Sequence, residues 1–168
     1  MAIVNYFADN FADPWPEQAT ALGEVVRPFI FTIPNGGDGV AFGAGDTISL
    51  TVLPGIDGIY FTEFDLEFGT MSGTKFELGD STAVARFIAS NGINPSAGGR
   101  VYSLDAAIVG SLPCTYNPNG AAAGGGNDAL ILTCTTATPE GTVTGVIFGW
   151  VRYSRYGTGP LIFGNEPS

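Results

Sequence analysis

Three carboxylates at two-residue spacing, Glu63, Asp65 and Glu67, are the residues whose type and order come nearest to chemistry. On an extended strand they share one face, with successive Cβ atoms about 7 Å apart. Glycosidic hydrolysis uses two carboxyls at such separations, but they must face each other across a cleft. Here all three project in parallel from one strand and no segment supplies an opposite wall, so the spacing predicts a solvated acidic face. The chain contains no His. That removes the usual general base of a nucleophilic triad, the commonest zinc ligand and the usual pH switch. The stretch closest to a nucleophile elbow, Gly79-Asp80-Ser81-Thr82-Ala83, ends in Ala and has no His to serve it. Gly37 to Gly43 misses the spacing of a dinucleotide-binding glycine loop, and no phosphate-binding loop occurs. The loops at 35–38, 43–46 and 79–80 offer oxygen ligands, yet none has calcium-loop spacing, and Asp, Asn and Gly are what turns require for their own geometry. The sequence therefore predicts no catalytic residue, no metal site and no cofactor.

Charge narrows the partners. Sixteen acids against six bases give a net charge of −10 over 168 residues, and Lys75 is the single lysine. Phosphate recognition runs on clustered cations, so neither nucleic acid nor an anionic membrane is an expected partner. Cys114 and Cys134 leave two readings: a bridge that would stabilise by about 3 kcal/mol, or two reduced thiols buried as small hydrophobes. Residues 1–11 lack a basic region, an apolar core and a small-residue cleavage site, which favours the second. With no apolar run near the ~20 residues of a membrane helix, the expectation is a soluble protein made in a cytoplasm.

The elements that would position these residues are strands. Ile59–Phe68 alternates Phe64, Leu66 and Phe68 with the three acids, a period of two that argues against a helix. Asp46–Leu53 places Ile48, Leu50 and Val52 on one face and Thr47, Ser49 and Thr51 on the other. Further strand-like runs are Arg27–Ile33, Thr74–Leu78, Arg100–Leu104, Asp128–Thr136 and Thr142–Tyr153. At 81–89 a short helix capped by Asp80 or Ser81 is allowed, and 119–127 reads as a glycine-rich loop. Seven or eight short strands without a crossover helix predict an all-β fold, an antiparallel β-sandwich or jelly-roll-like single domain. The expected organisation is an extended N-terminal arm at 1–24, the β-sandwich domain at 25–156 and a C-terminal tail at 157–168.

The arm carries the aromatic anchors Tyr6, Phe7, Phe11 and Trp15, and Pro14 and Pro16 forbid a continuous helix there. It either packs on its own domain or reaches a neighbouring subunit. Near the other end Arg152, Arg155 and Tyr156 gather residue types enriched at protein interfaces, the alternative being a last strand whose exposed side carries Arg while Trp150 or Tyr153 fills the core. Those seven side chains, Tyr6, Phe7, Phe11, Trp15, Arg152, Arg155 and Tyr156, are the candidate contacts to a partner or a neighbouring subunit.

The segment Gly45–Leu53 with Pro54, then Leu78–Ile88 with its Gly79-Asp80-Ser81 and Arg86-Phe87-Ile88, and last Gly141–Tyr153, resembles small virion proteins of tailed bacteriophages, the capsid decoration or cement proteins. The likeness spans residues 40–156. It implies a β-sandwich or jelly roll on the capsid exterior of the virion, often a homotrimer at local three-fold positions. Such a protein binds the major capsid protein and stabilises the head, with no catalysis. The proline-broken arm and the 119–127 loop depart from the pattern, which leaves a tail, collar or receptor/glycan-binding virion protein as the alternative.

Overall fold

The computed structural model describes residues 4–9, 18–19, 24–34, 41–53, 59–96, 98–102, 114–116, 128–137 and 145–155. Among them run eleven strands and no α-helix: β1 (Asn5–Phe7), β2 (Gln18–Ala19), β3 (Glu24–Thr32), β4 (Thr47–Leu53), β5 (Ile59–Phe68), β6 (Lys75–Gly79), β7 (Ile88–Ile93), β8 (Gly99–Tyr102), β9 (Cys114–Tyr116), β10 (Asp128–Thr136) and β11 (Val146–Arg155). They form a five-stranded sheet in the order β1-β4-β10-β6-β7 and a six-stranded sheet in the order β2-β3-β11-β5-β8, with β9 also beside β5. Every pairing is antiparallel except β1 with β4. Leave β1 and β2 aside and count β8 with β9 as one strand. The larger sheet then holds the first, eighth, third and sixth strands, and the smaller the second, seventh, fourth and fifth. That interleaving is a jelly roll.

Alternation in the sequence explains which side of each strand is covered. Phe29 and Phe31 on β3, Phe64, Leu66 and Phe68 on β5, and Ile147, Val151 and Tyr153 on β11 turn inward from the larger sheet. Ile48 and Leu50 on β4, Phe76 and Leu78 on β6, and Leu130, Leu132 and Cys134 on β10 meet them from the smaller. Each fully buried side chain of this size contributes about 1.5–3 kcal/mol. Phe42 stands edge-on to Tyr6 (5.3 Å between centroids) and to Phe76 (5.9 Å), and Phe68 stacks on Phe76 at 6.1 Å. Gly149 lies between Phe29 and the chain of β5: a Cβ there would fall 1.9 Å from the Asp65 carbonyl oxygen. On β4 the alternation slips, since Leu53 is buried and Val52 only half-buried.

The beginning of the chain is built into the edges of both sheets. β1 adds to β4, and Tyr6 tucks against Phe31 at 5.9 Å as well as Phe42. The Ala8 amide then donates to the Ser49 carbonyl in the smaller sheet, and the next amide, Asp9, donates to the Ile30 carbonyl in the larger (2.8 and 2.7 Å). The Asp9 carboxylate accepts from the Thr32 amide and hydroxyl. Asp46, 3% exposed, holds the other end: one carboxylate oxygen accepts from the Val4 amide at 2.8 Å, the other from the Gly43 amide at 2.7 Å. The sheets thus take in residues 4–9 and 18–19 of the segment read as an arm. The 119–127 loop and the 157–168 tail lie outside the described residues.

Between β6 and β7 the allowed helix is absent. Residues 81–87 run through turns and bends, and β7 starts at Ile88. The Asp80 side chain accepts from the Thr82 amide (2.8 Å), the Thr82 hydroxyl and the Ala83 amide (2.7 Å) as a cap would, and pairs with Arg86. The backbone, however, turns back instead of winding on: the Ala83 carbonyl takes the Asp80 and Arg86 amides (both 3.1 Å), and the Phe87 amide goes to the Leu78 carbonyl (2.9 Å). These bonds wrap the loop back over Gly79, whose missing Cβ would sit 2.0 Å from the Ala83 carbonyl oxygen.

Candidate interaction face

The outward side of the larger sheet is where large apolar side chains and ion pairs meet. Strand register sets the layout. Ile30 on β3 lies opposite Phe148 on β11, which lies opposite Glu67 on β5; one row along, Pro28, Trp150 and Asp65 are aligned; in the next, Val26, Arg152 and Glu63. Directly opposed residues on one face have Cβ atoms about 4.5–5.5 Å apart, so each row is a set of touching neighbours. Ile30 is 40% exposed and Phe148 41%.

The acids of β5 do not form the uniformly solvated face that their alternation predicts. Asp65 is buried and is gripped by Arg100 of β8 through both oxygens, with Nε donating to Oδ1 at 2.7 Å and Nη2 to Oδ2. Glu63 is half-buried and pairs with Arg152 of β11. The Arg152 guanidinium also lies over the Trp150 ring, 5.2 Å from its centroid, an attraction between cation and ring quadrupole. Glu67 alone of the three is exposed, and it makes no ion pair among the described residues. Two arginines arriving from the flanking strands convert the row of carboxylates into a fixed charged network.

Of the contact residues expected from sequence, Arg152 lies on this face. Tyr6 faces inward against Phe31 and Phe42, where burial, followed by the negative charge of Asp46, raises its phenol above the usual tyrosine range. Phe7 is 56% exposed at the β1 edge of the other sheet. Arg155 closes β11 opposite Ile59. Phe11, Trp15 and Tyr156 lie outside the described residues. Tyr153, not Trp150, fills the core. The exposed pair Ile30 and Phe148 was missed, although the sequence carries a signal. Once Phe29 and Phe31 are assigned inward, Ile30 is apolar in the outward phase, and Phe148 is so beside Ile147.

The stretches that could bind ions are otherwise occupied. Asp46 and Asp80, which calcium would need, accept from backbone amides. The 35–38 loop lies outside the described residues, and among those described no three His, Cys, Asp or Glu side chains cluster as a metal site would require. Cys134 is a free, buried thiol that donates to the Thr136 carbonyl at 3.2 Å. Burial chiefly, and the Asp46 charge less so, push its pKa up from 9.0 to about 11, against a lowering by a backbone hydrogen bond at Thr136.

No protein-family model matches the sequence, and no curated protein does. Among solved structures, a chain described as "Capsid of Ralstonia phage GP4" is similar with a TM-score of 0.61 at 17% identity, and the match covers 94% of this chain and 100% of that one. The two share a fold. At this identity the likeness speaks for the fold alone, and it takes in nearly the whole of both chains.

Proposed function

We propose that this protein is a structural component of a tailed-phage virion, binding the outer surface of the capsid and stabilising the head. The observation that carries this is the near end-to-end fold likeness to a chain from a phage capsid. Jelly rolls also serve as lectins and cupins, so the fold alone does not choose among roles. Two further features favour the structural one. The carboxylates that chemistry would need are committed: Asp46 and Asp80 to amides, Asp65 to Arg100, Glu63 to Arg152. The resemblance of Gly45–Leu53 and Leu78–Ile88 to decoration proteins points the same way, and here those stretches build β4 with its Asp46 anchor and the Asp80 loop. No catalysis is part of this role. In it the chain is a homotrimer on the capsid exterior, contacts the major capsid protein, and uses the closed trimer to cover sheet edges that would otherwise invite strand pairing.

The test is fractionation of a lysate on a density gradient, probing for the chain. Decoration predicts that it travels with heads, tailless ones included. Recovery only with tails or complete particles would favour the collar or receptor-binding alternative, and recovery away from every particle would overturn a virion role. A glycan-binding variant of the alternative needs an exposed Trp beside acids, whereas Trp150 is half-buried with Arg152 over its ring and the neighbouring Asp65 is held by Arg100. A glycan array with no bound sugar would remove it.

A further inference from the structure

We infer that the outward face of the six-stranded sheet, centred on Ile30 and Phe148 with Glu67 beside them, is the surface that docks on the shell, and that the shell presents there an apolar patch flanked by lysine or arginine. This rests on the capsid-binding role proposed above and adds to it which side of the molecule does the binding and what chemistry receives it.

The first support is the cost of the arrangement. β3 and β11 satisfy the core with their inward phases, Phe29 and Phe31 on one, Ile147, Val151 and Tyr153 on the other. In the outward phase two large apolar side chains, Ile30 and Phe148, stand side by side, 40% and 41% exposed, with Pro28 exposed next to them. An apolar cluster rimmed by polar groups is the mark of a contact site.

The rim is already ordered. Arg152 is held between Trp150 and Glu63, and Arg100 is locked on both oxygens of Asp65. Trp and Arg are the side chains that most often dominate binding energy, and side chains fixed before contact lose less rotamer freedom on association.

Charge selects the occupant. Arg86, Arg100 and Arg152 are paired with Asp80, Asp65 and Glu63, while the chain as a whole carries −10. Glu67, between Phe148 and Arg100 in the register, is exposed and makes no ion pair among the described residues, because Arg100 is turned onto Asp65. A second copy brought to this face would bring like charge; a cationic surface is drawn to it.

The test is co-sedimentation of the full chain with shells assembled without it, comparing wild type, Phe148→Asp, Ile30→Asp and Glu67→Lys, each checked for native folding by circular dichroism and for oligomeric state by light scattering. Expected are wild-type binding that weakens as salt rises, a loss of about tenfold or more for each aspartate variant, as for an interface anchor, and weaker binding of Glu67→Lys. Folded aspartate variants that bind like wild type would overturn the choice of face and leave capsid binding standing. Wild type that fails to bind would overturn both. Aspartate variants that change the oligomeric state of the free protein would show the occupant to be a second copy, against this inference.

Discussion

On the five-stranded sheet the outward positions hold Ser49, Thr51, Glu77 and Thr133, none more than 8% exposed; on the six-stranded sheet they hold Ile30 and Phe148, both at least 40% exposed. On the inner strands of the smaller sheet these polar residues are covered, and on the larger sheet two apolar ones are uncovered beside the buried, Arg100-paired Asp65. Residue polarity alone would assign these exposures the other way round. The two sheets share one core, so the difference does not come from folding the interior. Exposure and strand phase together pick out an apolar pair on the larger sheet's outer face that composition does not.

Substitutions in the core and on each outer face separate the two sheets. The largest effect belongs to the shared core: Phe76→Ala should cost about 4 kcal/mol in chemical denaturation, whereas Phe148→Ala should cost less than about 1 kcal/mol. Equal losses would mean that Phe148 is a core residue. A charge placed on each outer face comes next. Thr51→Lys buries an ammonium at a 3% exposed site and should cost about 3 kcal/mol, while Ile30→Lys should stay within about 1 kcal/mol, both read as shifts in denaturation midpoint. Asp80→Asn removes the charge that Arg86 and the loop amides share and should cost about 2 kcal/mol. Asp46→Asn should cost about 1 kcal/mol and show itself locally, as faster hydrogen exchange at the Val4 and Gly43 amides with β7 unaffected.

The smallest effect is a pH dependence. The Cys134 thiol holds its proton more tightly when folded, with a pKa of about 11 against 9.0. Below pH 9 both states keep the proton and the buried neutral thiol costs nothing. As pH rises from there towards 11 the unfolded chain loses protons first, so stability falls through that window. Cys134→Ala should flatten this part of the stability curve, and a fall of the same size in the variant would assign it to other groups.

The jelly roll was legible because alternation in Ile59–Phe68 and Asp128–Thr136 fixes period and facing within a single strand, and both ranges coincide with β5 and β10. What alternation does not hold is what comes from another strand. Arg100 reaches Asp65 and Arg152 reaches Glu63 across the sheet, from 35 residues away in the first case, so three regularly spaced acids read as a wet face when two of them are neutralised. The Asp80 segment failed differently. Its Asp and Ser suit a helix cap, and only the fold of the loop, with Gly79 allowing Ala83 to approach, directs the same carboxylate into a turn. The first residues were legible as aromatic and extended, but their docking depends on Asp46, distant in sequence.

Cryo-electron microscopy of particles made from the genome that encodes this chain would show whether the protein sits on the shell and which face it turns to it. Decoration predicts jelly-roll density on the outside of the shell with Ile30 and Phe148 turned towards it and a cationic side chain of the shell within reach of Glu67. Shells that carry no such density, or density whose six-stranded face points into solvent, would contradict it.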